Sequence, residues 1–233
     1  MRDVPILGKR SEVMTTTYLR RLTSALIIGS AFVMTSSGRG HADVKPGGSV
    51  SKPALQAKVA YCNTCHGFNG QGFRAFQAIP RLAGQQPEYL KNQLQAFIER
   101  RRTNNIMFNV AHVLSPEMLE ALTANFNGLD PKPLGGAPRN LVAEGKTIFE
   151  EGVPKSDIPP CASCHGADGK GRDQFPRLAG QLNDYIFSKL TNWTKERGQI
   201  PAQPDSSAIM EPFTHGLTAS QIKAVAAYVS YLE

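Results

Sequence analysis

The sequence predicts an all-α protein built from two tandem domains of one fold. Three observations carry this: an internal repeat, apolar residues at helical spacing with no convincing two-residue alternation, and a Cys-x-x-Cys-His string in each half. Cys62-Asn63-Thr64-Cys65-His66-Gly67 recurs as Cys161-Ala162-Ser163-Cys164-His165-Gly166, 99 residues later. Pro80-Arg81-Leu82-Ala83-Gly84-Gln85 recurs unchanged as residues 176–181, and Tyr89 recurs as Tyr185 at the same offset of 96. Ile106-Met107 recurs as Ile209-Met210, and Leu114-Ser115 as Leu217-Thr218. Blocks that recur in one order, with small length changes between them, mean that the halves share a fold.

Residues 1–42 read as an export segment rather than as part of a domain. Arg20 and Arg21 form a positive start, residues 22–35 are apolar, and Gly40-His41-Ala42 offers small residues at −3 and −1 of a cleavage site. A start at Met14 gives a signal of ordinary length. The competing reading is an uncleaved anchor, but a run of about 14 apolar residues falls short of the roughly 20 needed to span a bilayer. The expected organisation is then an N-terminal domain over 43–126, a linker over 127–139 rich in proline and glycine, and a C-terminal domain over 140–233.

Each half is expected to open with a helix running into its cysteines, over 52–61 and 141–151, with Gly145 and Phe149 on one face. A middle helix follows each Pro-Arg-Leu-Ala-Gly-Gln block, with Tyr89, Leu90, Leu94 and Phe97 mirrored by Tyr185, Ile186, Leu190 and Trp193. Each half closes with a helix. Ser115 serves as N-cap with Pro116 at the first position and a Leu114–Leu119 staple. Thr218 and Gln221 form a capping box, stapled by Leu217 and Ile222.

Composition sets bounds on function. Hydrophobic residues make up 41% of the 233, enough for two small cores that are marginal by themselves, so a large apolar cofactor in each would relieve the deficit. The net charge of +7 falls to +3 without residues 1–42, and up to four propionates on two haems would bring the surface near neutral. No basic run interleaved with aromatics is present, which argues against nucleic acid as a partner.

All four cysteines lie in the two strings. Two thiols three positions apart on a helical turn can each add to one vinyl group of a haem, and the histidine that follows is aimed at the iron. A redox disulfide would leave His66 and His165 unexplained, and a zinc site would need both pairs together although the repeat places them in separate domains. The reading is therefore two covalent haem c groups, held by Cys62, Cys65 and His66 and by Cys161, Cys164 and His165.

For the sixth iron ligand the candidates are Met107 and Met210, at the same repeat position in an expected irregular stretch before the last helix. Thioether ligation raises the potential and closes the iron to other ligands. Ordinary packing is the alternative for a methionine, and it suits Met118, which does not recur. His112 and His215, five residues after each methionine, could ligate instead, but caps or solvent-facing residues are commoner there. Pro80 and Pro176 carry carbonyls that could accept the proximal histidine's Nδ1–H, unless the block is only a turn.

The two strings, the twice-repeated Pro-Arg-Leu-Ala-Gly-Gln block with its tyrosine, and the paired late methionines together resemble the dihaem cytochrome c4 family, over about residues 50–233. The resemblance implies two class I cytochrome c domains facing one another, with His/Met ligation at both haems. It also implies a periplasmic location and electron shuttling between a quinol-oxidising complex and a terminal oxidase. Two positions depart from the family pattern. Tyr228 supplies the closing helix's usual aromatic, but Asn125 stands at the matching place with Phe126 beside it. Glu99-Arg100-Arg101-Arg102 stands where a glycine-charged-arginine segment is usual.

The expected function is an electron carrier with no substrate chemistry, docking briefly on redox partner proteins. Membrane contact is expected only through those partners or an uncleaved signal. One rival is a dedicated electron-accepting subunit of a dehydrogenase. Another is a dihaem redox enzyme, which would need an open iron where both halves offer a methionine. Arg100–Arg102 and Lys195–Arg197 are read as solvated helix-end charges in preference to a steering surface for acidic partners.

Overall fold

The computed structural model describes residues 48–198 and 206–233, so the expected export segment and its cleavage site lie outside the described residues. The first half contains α1 (Lys52–His66), α2 (Pro87–Ile98), α3 (Asn105–Ala111) and α4 (Pro116–Asn127). The second contains α5 (Val142–Glu151), α6 (Ala162–His165), α7 (Asn183–Thr191), α8 (Trp193–Glu196), α9 (Ser207–His215) and α10 (Ala219–Val229). The described residues are all-α apart from a small hairpin, β1 (Phe73–Arg74) with β2 (Ala78–Ile79), and isolated bridges.

Local chemistry sets the helix ends. Ser51 caps α1, and Ser115 Oγ accepts from the Met118 amide at 3.2 Å to start α4. The Thr218–Gln221 capping box starts α10, with Thr218 N donating to Gln221 Oε1 at 2.9 Å. Gly67 stops α1: its φ is +78°, and a Cβ there would lie 2.3 Å from the Gly72 carbonyl oxygen, so only glycine fits.

In each half an early helix and the closing helix cross over a core. Leu90, Met118, Leu122 and Phe126 fill the first, which makes Met118 a packing residue as expected. Ile148, Phe149, Ala224, Val225 and Val229 fill the second. Gly145 lets α5 press onto α10, because a Cβ there would stand 2.0 Å from the Ala224 carbonyl oxygen. Tyr228 meets Phe149 on that crossing, with ring centroids 5.4 Å apart. Where the first half has Asn125, Phe126 supplies the aromatic at 3% exposure.

Three expectations about elements need correction. The hairpin occupies seven residues between Gly72 and Pro80, where the second half uses four and a single Arg172–Phe175 bridge; the repeat offset drops by three for this reason. Met107 and Met210 lie in helices, α3 and α9, rather than in irregular chain. In α3 the Asn104 side chain accepts from the Met107 amide at 2.9 Å and starts the helix at that point. In the second half the opening helix does not run into the cysteines. It ends at Glu151, and a turn through Pro154, with Pro159 and Pro160 following, separates it from α6.

The linker is pinned rather than draped. Tyr231 Oη donates to the Ala137 carbonyl at 2.6 Å, the Arg74 guanidinium bonds the Gly135 carbonyl, and Arg81 Nη1 reaches the Pro131 carbonyl at 2.6 Å.

Candidate functional site

Each half presents two thiols and a histidine on one short run of helix. Cys62, Cys65 and His66 close α1, while Cys161 caps α6 and Cys164 and His165 complete it. No disulfide joins the four thiols. Burial raises the Cys62 thiol above its ordinary range and pushes Cys161 up to about 11, so both are neutral and apolar at physiological pH.

His66 and His165 are 8% and 7% exposed, and each has one polar anchor. His66 Nδ1 lies 2.9 Å from the Pro80 carbonyl oxygen, and His165 Nδ1 lies 2.9 Å from that of Pro176. A carbonyl only accepts, so Nδ1 carries the proton and Nε2 keeps its lone pair for a metal. Burial lowers the pKa of both imidazoles and favours the neutral form that ligates, although the carbonyl bond pulls the other way. The proline carbonyls thus do what their sequence position suggests.

This donor set fits covalent haem. Each string offers paired thiols one turn apart and a neutral imidazole with its ring fixed. A shared zinc site does not fit, because among the described residues no group of three or more His, Cys, Asp and Glu converges on a metal position. The half-buried Met107 and Met210 take equivalent places, each on the helix before its half's closing helix. His112 is exposed at the end of α3, with Nδ1 bonded to the Phe108 carbonyl at 2.9 Å and its ring stacked on Phe108; His215 is exposed at the end of α9. Both suit helix ends.

The larger surprise lies between the halves, where polar groups are exchanged about a pseudo-twofold relation. Arg81 N donates to Gln181 Oε1 at 2.8 Å and Arg177 N donates to Gln85 Oε1 at 2.7 Å. The same two arginines, 3% and 6% exposed, share one oxygen of the linker's Asp130, at 3.0 and 3.1 Å. Burial and the neighbouring Arg177 bring the Arg81 guanidinium down to about 10, still protonated at neutral pH, with Asp130 opposing that shift.

A second crossed set involves the repeated tyrosines. Arg102 Nη2 donates to Tyr185 Oη at 2.9 Å, Arg197 bonds the Tyr89 side chain, and both guanidinia reach Gln93 Oε1 at 2.7 Å. The backbone joins in, with an Arg102–Arg197 bridge and Thr103 N on the Glu196 carbonyl at 2.8 Å. Arg102 and Arg197 are 8% and 6% exposed, so neither the solvated nor the steering reading holds for them; both readings fail because each arginine is buried between the halves and bonds a tyrosine of the other one. Arg100 and Lys195 are exposed, as expected of solvated charges. Sequence reasoning noticed the repeated block and the tyrosine but assigned no role to its arginine or glutamine. Their unchanged recurrence was the available signal.

The family model for cytochrome c matches residues 56–128 and again 142–233. Cytochrome c-552 of Acidithiobacillus ferridurans is 33% identical, over 97% of this chain and 95% of its own length. Cytochrome c4 of Thiocapsa roseopersicina is 34% identical, over 73% of this chain and 86% of its own. A thiosulfate dehydrogenase electron acceptor of Stutzerimonas stutzeri is 32% identical, over 76% of this chain and 80% of its own. Among solved structures, cytochrome c4 of Acidithiobacillus ferrooxidans superposes with a TM-score of 0.64 at 35% identity, covering 74% of this chain and 99% of that one.

Proposed function

The chain belongs to the dihaem cytochrome c4 family and carries two covalently bound haem c groups, and from that premise we propose a periplasmic electron carrier that works between a quinol-oxidising complex and a terminal oxidase. In each site the thiols hold the haem edge, Cys62 and Cys65 in one half and Cys161 and Cys164 in the other. His66 and His165 supply the proximal nitrogen, and Met107 and Met210 the thioether. When bound, the haem supplies a one-electron couple. The protein fixes each imidazole through a proline carbonyl, buries it from water, and pins the halves so that the distance between the two groups is constant.

One observation carries this reading: in both halves the histidine that follows the paired thiols is buried and held by the same 2.9 Å bond to a proline carbonyl. The export segment over 1–42, possession of domains over 43–126 and 140–233, and the linker over 127–139 belong to the same proposal. The family match over 56–128 and 142–233 supports those limits. Among the described residues no helix is long and apolar enough to cross a membrane.

A second reading is favoured by the similarity to a thiosulfate dehydrogenase electron acceptor: the chain receives electrons from one dedicated dehydrogenase. Both readings make redox proteins its partners, and both leave substrate chemistry elsewhere. A spectroelectrochemical titration tests what they share. Two reversible one-electron waves from a protein with two thioether-bound haems are expected; a single haem, or a wave made irreversible by ligand exchange at an iron, overturns the reading.

A further inference from the structure

We propose that Gln181 and Gln85 are positioning residues, each of which sets the redox potential of the haem in the opposite half. The inference rests on the two-haem reading above and adds which residue acts on which haem.

The peptide unit between Pro80 and Arg81 is held at both ends. Its carbonyl accepts Nδ1–H of His66 at 2.9 Å, and its N–H donates to Gln181 Oε1 at 2.8 Å. The unit between Pro176 and Arg177 repeats this with His165 at 2.9 Å and Gln85 Oε1 at 2.7 Å. Each glutamine closes a second bond, from its Nε2 to the Arg81 or Arg177 carbonyl, both at 3.0 Å. Each Oε1 also receives an amide from its own half, Leu182 or Gln86, both at 3.0 Å. Those two N–H groups fix which way each amide faces. Both glutamines are 5% exposed, so the bonds are made away from bulk water.

A peptide unit is conjugated, so an acceptor on its N–H shifts electron density onto its carbonyl oxygen, and hydrogen bonds in such a chain strengthen one another in a low-dielectric interior. A stronger carbonyl acceptor draws harder on the imidazole Nδ1–H and makes Nε2 the better donor. Stronger donation to the iron favours the ferric state and lowers the potential. Gln181 therefore lowers the potential of the His66 haem, and Gln85 that of the His165 haem. Undocking the halves would release both.

The experiment uses the holoprotein with Gln181→Met, close in length but without an acceptor oxygen, and Gln181→Glu, which keeps an oxygen and adds charge. Midpoint potentials are read by spectroelectrochemistry, and each is assigned to its haem by paramagnetic NMR shifts of residues flanking its histidine. Gln181→Met is expected to raise the reduced-to-oxidised ratio of the His66 haem roughly two- to tenfold at a fixed poise, the scale of a 10–30% change in one hydrogen bond. Gln181→Glu is expected to lower the same ratio, and both variants leave the His165 haem in place. Gln85 variants mirror this on the other haem. A shift confined to the His165 haem, an equal shift of both haems, or Met and Glu moving the potential in one direction, as a loosened interface would, overturns the proposal. Should Gln181→Met not fold, the Glu variants at the two positions decide it by which haem each lowers. Failure of the two-haem reading would be visible earlier, as the absence of two waves in the unaltered protein.

Discussion

His66 and His165 show how little side-chain chemistry is needed to orient an imidazole. One carbonyl at 2.9 Å fixes the tautomer, the ring plane and the free lone pair. In the proposed reading one thioether would close each iron, Met107 in the first half and Met210 in the second. Met107→Ala is therefore expected to open one iron, so that the reduced protein binds carbon monoxide at half its haem, while Met210→Ala opens the other half. A variant that stays closed would remove that methionine from the ligand set. The strings and the proline carbonyls were legible because each is a short motif with its own chemistry. Arg102 and Arg197 were not, since a charge after a helix ordinarily reads as solvated. Only the packing of one half on the other brings Tyr185 to Arg102, and Tyr89 and Gln93 to Arg197.

At the level of elements, α4 and α10 start where their Ser115 and Thr218 caps predict, and α2 lies where its apolar spacing predicts. The hairpin and the helices carrying the methionines were missed for a physical reason. Paired strands of two residues have no room to show alternation, and α3 gains its start from the Asn104 side chain rather than from apolar periodicity. The opening helix of the second half ends at Glu151 as its spacing predicts, but the turn through Pro154, Pro159 and Pro160 keeps it from running into the cysteines. The crossing of α5 on α10 is the tightest helix contact, and Gly145 is the residue that permits it. Gly145→Ala forces a methyl group into the Ala224 carbonyl. It is expected to cost about 3 kcal/mol, the upper range for overpacking, read as a lower denaturant midpoint. A midpoint unchanged within error would mean that the crossing has slack.

Over the whole molecule, two repeats of one fold were readable, but how they dock was not. The docking depends on groups from four places: the repeated block, the middle helices, the segment after each of them, and the linker. Asp130 belongs to neither half, yet it lies between Arg81 and Arg177 and offsets two like charges. Asp130→Asn is expected to lower stability by about 1–2 kcal/mol, the low end for a charged hydrogen bond because the carboxylate is open to solvent. The deficit should shrink as salt screens the two guanidinia; a deficit that is absent, or that does not respond to salt, would take Asp130 out of the docking. Cross-domain bonds of this kind join two halves whose own cores are small.

The central claim is that both irons are closed by protein ligands and the molecule only passes electrons. The optical spectrum of the purified, dithionite-reduced protein before and after carbon monoxide tests it most directly. An unchanged spectrum is the predicted result, with both haems six-coordinate. Ready binding of carbon monoxide at either haem would contradict the methionine assignment there and bring the enzymatic reading forward.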